Sequence, residues 1–277
     1  MELYATGHNP WNQLQFDGSK AEEEPEDICN FTKVLSDDNA QVTSIRAFPS
    51  YTLVFNQSTI TQHPDLSSLL SSLPPNETFT LPGTLTQLIP FETGFAALLN
   101  SPSSAPPPPP SFGSLSATEV YTWGDDRFLP TLAREPTTSS PASCPGLVTY
   151  LQDLPTGPVT QIAAGGYLLA ALTAGNDLYC WGHAGRSPVA QYLSLSDVPE
   201  PVIIGDDIEI VDMAVGMSHM IVLTTDGEVY VIGSNTNGQL GLSDTEIAKE
   251  WTRVDVPSCE GRIRGVAAGP KASFFWT

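Results

Sequence analysis

Four short stretches of the chain share one alternation of apolar and polar positions: aliphatic, Tyr, any residue, a variable residue, Gly. They are Leu3-Tyr-Ala-Thr-Gly7, Val120-Tyr-Thr-Trp-Gly124, Leu178-Tyr-Cys-Trp-Gly182 and Val229-Tyr-Val-Ile-Gly233. Each head predicts a strand that ends where the backbone turns at a residue without Cβ. A second pattern, the tail, precedes three of them: Ile162-Ala-Ala-Gly165, Met213-Ala-Val-Gly216 and Val266-Ala-Ala-Gly269. An apolar residue follows each tail glycine seven positions later, at Leu172, Leu223 and Trp276. Phe48 with Phe55, and Phe91 with Leu98, keep that offset without the glycine. The five tails are separated by 43, 74, 51 and 53 residues, and a fifth, decayed head is expected near 58–64.

Between tail and head sit turn signals. Asp226-Gly227 joins Ile221-Val-Leu-Thr224 to Val229-Tyr-Val-Ile232 and reads as a two-residue type I′ hairpin, which needs positive φ at both central positions. Ala174-Gly-Asn-Asp177 does the same one repeat earlier. The flanks are short runs of Val, Ile, Leu, Tyr and Thr, suited to strands. Ala163-Ala164 and Ala267-Ala268 supply small side chains where strands would crowd toward an axis. Helical periodicity is weak. A period near 50 residues in such a chain predicts an all-β repeat fold, a closed β-propeller of about five four-stranded blades. The C-terminal Ala272-Ser-Phe-Phe-Trp-Thr277 followed by Glu2-Leu-Tyr-Ala-Thr-Gly7 reproduces an internal tail and head, so the ring is expected to close through N- and C-terminal strands. Residues 1–277 then form one complete domain. Its insertions are an acidic loop, 17–27, with six acids against Lys20, and a Pro-rich loop, 101–116, whose five consecutive prolines cannot join a ladder.

The stretch Val229-Tyr-Val-Ile-Gly-Ser-Asn-Thr-Asn-Gly-Gln-Leu-Gly241, preceded by Gly216-Met-Ser-His219, resembles the repeat of the regulator-of-chromosome-condensation family. The likeness is good over 120–277 and faint over 1–100. Only 229–241 keeps Gly-Gln-Leu-Gly; the other heads carry Asp126-Arg-Phe-Leu129, Ala184-Gly-Arg-Ser187 or the remnant Asn12-Gln-Leu-Gln15. The resemblance implies a propeller that holds protein partners, and in some relatives a guanine-nucleotide exchange activity toward a small GTPase of the nuclear-transport type. Other relatives are associated with chromatin-modifying oxygenases.

Composition narrows the partners. The formal net charge is −20 and the pI about 4.2, which opposes nucleic acid and anionic membranes. Cys29, Cys144, Cys180 and Cys259 are scattered, with no Cys-x-x-Cys and no secretory leader, so a reduced intracellular setting, nucleus or cytoplasm, is expected. Cys180, inside a strand, reads as a buried thiol. The triplets beginning at Asn30, Asn56 and Asn76 are chance glycosylation matches on that view. No apolar run is long enough to span a bilayer.

No chemistry-bearing motif is present. Gly233 to Gly238 has P-loop spacing but continues Gln239-Leu240, and no Gly-x-Ser-x-Gly or His-Glu-x-x-His occurs. His8, His63, His183 and His219 lack metal spacing. Catalytic residues, cofactor and metal are therefore expected to be none, and the chain a monomer and not an enzyme. Two functions remain: a non-catalytic protein-interaction scaffold, in a chromatin-associated or regulatory complex, or a guanine-nucleotide exchange factor. Strand direction repeats, so the loops after the head glycines emerge on one side. The candidate partner-binding residues there are His8, Asn9, Trp11, Asp125, Asp126, Arg127, Phe128, His183, Arg186, Asn235 and Asn237. Trp, Phe and Arg are the residue types that anchor interfaces.

Overall fold

The computed structural model describes residues 2–10, 14, 26–36, 42–47, 52–56, 81–100, 118–206, 208–257 and 261–277. Their strands form four four-stranded antiparallel sheets and one hairpin. Sheet I holds β5 (Thr84–Phe91), β6 (Gly94–Asn100), β7 (Thr118–Gly124) and β8 (Gly146–Leu147). Sheet II holds β9 (Val159–Gly165), β10 (Leu168–Thr173), β11 (Leu178–Gly182) and β12 (Glu200–Val202). Sheet III holds β13 (Ile210–Val215), β14 (His219–Thr224), β15 (Val229–Ser234) and β16 (Ile247–Arg253). Sheet IV is built from both chain ends: β17 (Gly265–Ala268), β18 (Ala272–Trp276), β1 (Glu2–Gly7) and β2 (Ile28–Ser36). The hairpin is β3 (Val42–Ala47) with β4 (Thr52–Asn56). Two short helices, α1 (Leu129–Leu132) and α2 (Pro188–Tyr192), follow the third strands of sheets I and II.

The all-β architecture stands, but the closed propeller of five four-stranded blades does not. No sheet closes or curls onto itself, and the fifth unit among the described residues is a two-stranded hairpin. Residues 58–64, where the decayed head is expected, carry no aliphatic-Tyr alternation, hold Pro64 and lie outside the described residues. The terminal strands do pair, from Leu3 opposite Trp276 to Gly7 opposite Ala272, without making a ring. Positions 17–25 of the acidic loop and the whole Pro-rich loop, 101–116, lie outside the described residues.

The hairpin turns also differ from expectation. Thr224 N–H donates to Glu228 O (2.9 Å) and Gly227 N–H to Thr224 O (3.0 Å), enclosing three residues, and Gly227 alone takes positive φ (+84°). Thr173, Asn176 (φ 68°) and Asp177 repeat this geometry. The threonine hydroxyl decides the frame: Thr224 Oγ1 accepts from Glu228 N–H and Thr173 Oγ1 from Asp177 N–H, closing a three-residue loop with a bulge in place of a type I′ turn. The same bonds recur where no turn exists: Thr277 N–H donates to Glu2 O, and Glu2 N–H to Thr277 Oγ1.

The central strands of sheets II and III are apolar on both faces because each of these sheets packs on both sides. In β10, Leu169 and Ala171 face the core shared with sheet I, while Leu168, Ala170 and Leu172 face that shared with sheet III. Trp181 is fully buried in the first of these cores and donates Nε1–H to Thr131 O of α1 (3.1 Å). Tyr4, Phe31 and Phe275 fill the core between sheets III and IV, Tyr4 stacked on Phe275 at 4.7 Å.

Polar side chains bind sheet to sheet. The first strands run side by side in the order β5, β9, β13, β17, β3. At one equivalent position in three of them a side chain reaches the next strand. Gln87 Oε1 accepts from Ile162 N–H (2.8 Å), and Gln161 Nε2 donates to Met213 O (3.3 Å) and Asp212 Oδ1 (2.8 Å). Asp212 Oδ2 accepts from Val266 N–H (2.8 Å), so this carboxylate joins three sheets. Burial pushes the Asp212 pKa up, its hydrogen bonds partly opposing the shift. His219, fully buried in β14, adds a bond to Ser273 Oγ of β18 (3.0 Å).

Replacing Asp212 with Ala strands a buried amide N–H and the Gln161 amide, and should cost about 2–4 kcal/mol in urea unfolding. A loss under about 0.5 kcal/mol would contradict the latch. Burial also pushes the His219 pKa down from 6.5 to about 4, the Ala272 backbone partly opposing. The unfolded chain therefore takes up this proton first. Stability is whole above about pH 6.5 and is lost as pH falls toward 4, by about 2 kcal/mol at pH 5. Asp212, with its raised pKa, works in the opposite sense, so the comparison must be with His219→Gln. That variant should lose less stability between pH 7 and 5, measured by urea unfolding at each pH.

Candidate partner-binding face

One rule places the four head loops. The residue after each head glycine donates its N–H to a carbonyl at the tip of its own sheet's inner hairpin. The pairs are Asp125 to Thr93 (2.8 Å), His183 to Tyr167 (3.0 Å), Ser234 to Ser218 (2.9 Å) and His8 to Lys271 (2.9 Å). A Cβ on the head glycine would overlap that same carbonyl oxygen in every case. At Gly233, φ is also +118°. The glycines are thus required by close backbone approach more than by the end of a strand. Neighbouring tips touch in turn, Glu92 N–H to Gly166 O (3.1 Å) and Met217 N–H to Pro270 O (3.2 Å). Together the four tips line a hollow of about 450 Å³ at one end of the sheets, so the head loops share a face.

Arg127, Phe128, His183 and Arg186 come together on this face, between sheets I and II. Asp125 Oδ1 accepts from Arg127 N–H (2.9 Å), and its carboxylate takes the Arg127 guanidinium through Nε (3.0 Å) and Nη2 (2.5 Å). The exposed Arg127 holds the Asp125 carboxyl well down, at about 2. That turn sets Phe128, whose half-buried ring meets Tyr167 at 5.3 Å and His183 edge-on at 6.0 Å. Arg186 lies over both rings, 5.8 Å from Phe128 and 6.0 Å from Tyr167. Asp126 is exposed beside them. Tyr167 was not among the candidates; its signal is its place two residues after the tail glycine Gly165, as Ser218 follows Gly216 and Lys271 follows Gly269.

The other candidates meet between sheets III and IV, in a bracing role. Asp27 accepts from Asn9 N–H (2.9 Å) and Asn237 Nδ2 (2.9 Å), and pairs with His8 Nδ1 (3.1 Å). Asn235 is buried; its Oδ1 accepts from Leu240 N–H (2.7 Å) and its Nδ2 donates to the carbonyls of Leu242 and Thr245. Asn9 is buried too and makes the same bond five residues on, to Leu14 N–H (3.0 Å). Both asparagines are spent on their own loops. Trp11 lies outside the described residues. Among the described residues no group of three or more His, Cys, Asp or Glu could hold a metal ion, and no helix is long and apolar enough to cross a membrane.

Fold and face together define an all-β repeat protein that presents loops from successive sheets on one side. The regulator of chromosome condensation (RCC1) repeat matches at residues 210–239 and again at 226–276. Residues 210–276 thus carry RCC1-type repeats, and the chain is related through them to RCC1-like and RCC1 domain-containing proteins. It is 27% identical over 145 residues to a mouse RCC1-like G exchanging factor-like protein, covering 50% of this chain and 30% of that protein. It is 29% identical over 160 residues to the Arabidopsis RCC1 domain-containing protein RUG3, mitochondrial, covering 56% and 35%. The matched stretch thus spans about a third of these relatives. Among solved structures, human WBSCR16 aligns with a TM-score of 0.53 at 19% identity, covering 99% of this chain and 81% of that one. Prp20p from Saccharomyces cerevisiae aligns at 0.54 and 15%, covering 99% and 64%.

Gly233→Ala tests the placement rule. It should cost about 2–3 kcal/mol in thermal or urea unfolding, through unfavourable φ and collision with Ser218 O. A variant as stable as the parent would mean the loop tolerates a displaced backbone.

Proposed function

We propose that the protein binds a small GTPase through its head-loop face and promotes guanine-nucleotide exchange on it. The observation that carries this is fold likeness over 99% of the chain to Prp20p, a protein with binding properties to Gsp1p and histones. Sequence similarity to a mouse RCC1-like G exchanging factor-like protein points the same way. Exchange asks for no covalent chemistry. A protein that binds the nucleotide-free GTPase more tightly than the loaded form must, by reciprocity, weaken nucleotide binding by the same factor. Preformed loops on a rigid sheet framework suit that task, and its setting would be inside the cell. A chromatin scaffold, including one for a modifying oxygenase, has less behind it.

Release of fluorescent GDP from a panel of recombinant small GTPases, with the full 277-residue chain added, tests the proposal. At least one GTPase should release nucleotide about ten-fold faster or more, equivalent to about 1.4 kcal/mol of coupling. Tight binding without acceleration would favour the scaffold. Neither binding nor acceleration across the panel would overturn the proposal.

A further inference from the structure

We infer that Phe128, Tyr167, His183 and Arg186 form a docking site for a carboxylate side chain of a protein partner. This rests on the protein-binding half of the proposal above and does not require exchange activity. Arg127 is already taken by Asp125 in a two-point pair. Arg186 is different: it is exposed, and among the described residues no carboxylate or carbonyl accepts from its guanidinium. Its Cζ lies instead over two aromatic rings, 5.8 and 6.0 Å from their centroids. The backbone that carries these side chains is itself bonded: His183 N–H to Tyr167 O, Arg186 N–H to His183 O (2.8 Å), and Phe128 O accepts from Thr131 Oγ1 (2.7 Å). Contact with two rings lowers the side-chain entropy that this arginine would lose on binding. What remains free is a fork of N–H donors beside half-buried aromatic surface, which fits a carboxylate flanked by apolar groups.

A phosphate would satisfy the same fork, and stacked aromatics also suit single-stranded nucleic acid. Charge decides between them. Each nucleotide brings a further anion against a chain of net charge −20, whereas one carboxylate on an apolar segment meets that repulsion once. At physiological salt the repulsion fades over about 8 Å, so the adjacent guanidinium dominates for a lone carboxylate.

The test is titration of the intact chain with a blocked peptide, acetyl-Leu-Glu-Glu-Leu-amide, and with its Gln counterpart, followed by the NMR signals of the arginine Nε–H groups. The Glu peptide should bind about two- to five-fold more tightly than the Gln peptide, the size expected for one exposed ion pair. Arg186→Gln should abolish that preference, and Arg264→Gln, an exposed arginine elsewhere, should leave it intact. Equal binding of the two peptides, equal loss in both variants, or tighter binding of a dT decamer than of the Glu peptide at about 150 mM salt would each overturn the inference. If the Glu preference holds while no GTPase responds, the exchange proposal falls and the docking site stands. If GTPase exchange is found but the preference is absent, the docking site alone falls.

Discussion

Everything in this molecule depends on how one β-sheet is bonded to the next. Apolar packing between sheets supplies most of the stabilisation, but it is non-directional and would tolerate sliding. The polar reach at the first strands removes that freedom. Gln87, Gln161 and Asp212 each touch backbone of the following sheet, and a backbone amide accepts only one register. The burial of Asp212 makes the bonds strong and the alternatives costly, since a slipped sheet would leave a desolvated carboxylate without donors. At the fourth equivalent position Gly265 gives up the side chain, and the Trp276 ring occupies the space. The head-loop face inherits its geometry from this alignment, because the hairpin tips to which the loops are bonded are the ends of the same strands.

Much of this was legible in the sequence. The repeated heads and tails mark the three inner strands of each four-stranded sheet but not the outer β2, β8, β12 and β16, and the likeness of the chain ends to an internal repeat corresponds to the pairing of β1 with β18. Turn chemistry was less legible. Asp226-Gly227 fits two turn frames, and a hydroxyl just upstream, on Thr224, selects the longer one. The five-blade count failed at the β3–β4 unit, whose expected head at 58–64 lies outside the described residues. Among the candidates, Arg127, Phe128, His183 and Arg186 converge, whereas Asn9 and Asn235 are internal braces. A polar residue in a varied loop looks alike in both roles from sequence. The distinguishing mark is the leucine five positions on, Leu14 or Leu240, whose amide each asparagine caps.

The two seams bearing candidate residues divide the work of the face. Between sheets III and IV, His8, Asp27 and Asn237 satisfy one another across a long sequence separation and hold loops of different repeats together. Between sheets I and II the corresponding space is filled by rings and a guanidinium with donors to spare. One seam is a fastening; the other keeps a guanidinium that no carboxylate takes among the described residues.

Sheet IV carries a consequence for synthesis. Its bonds between Glu2 and Thr277 join residues 275 apart in sequence. During translation β1 emerges long before β18 and finds no neighbour on that side until β18 leaves the ribosome, at a rate of about 5–20 residues per second. For that interval, on the order of tens of seconds, the apolar stretch Leu3-Tyr-Ala-Thr has β2 as its only sheet partner and an open edge on the other side. Newly made chains are thus exposed to mispairing at β1, and the nascent protein depends there on speed or on chaperones.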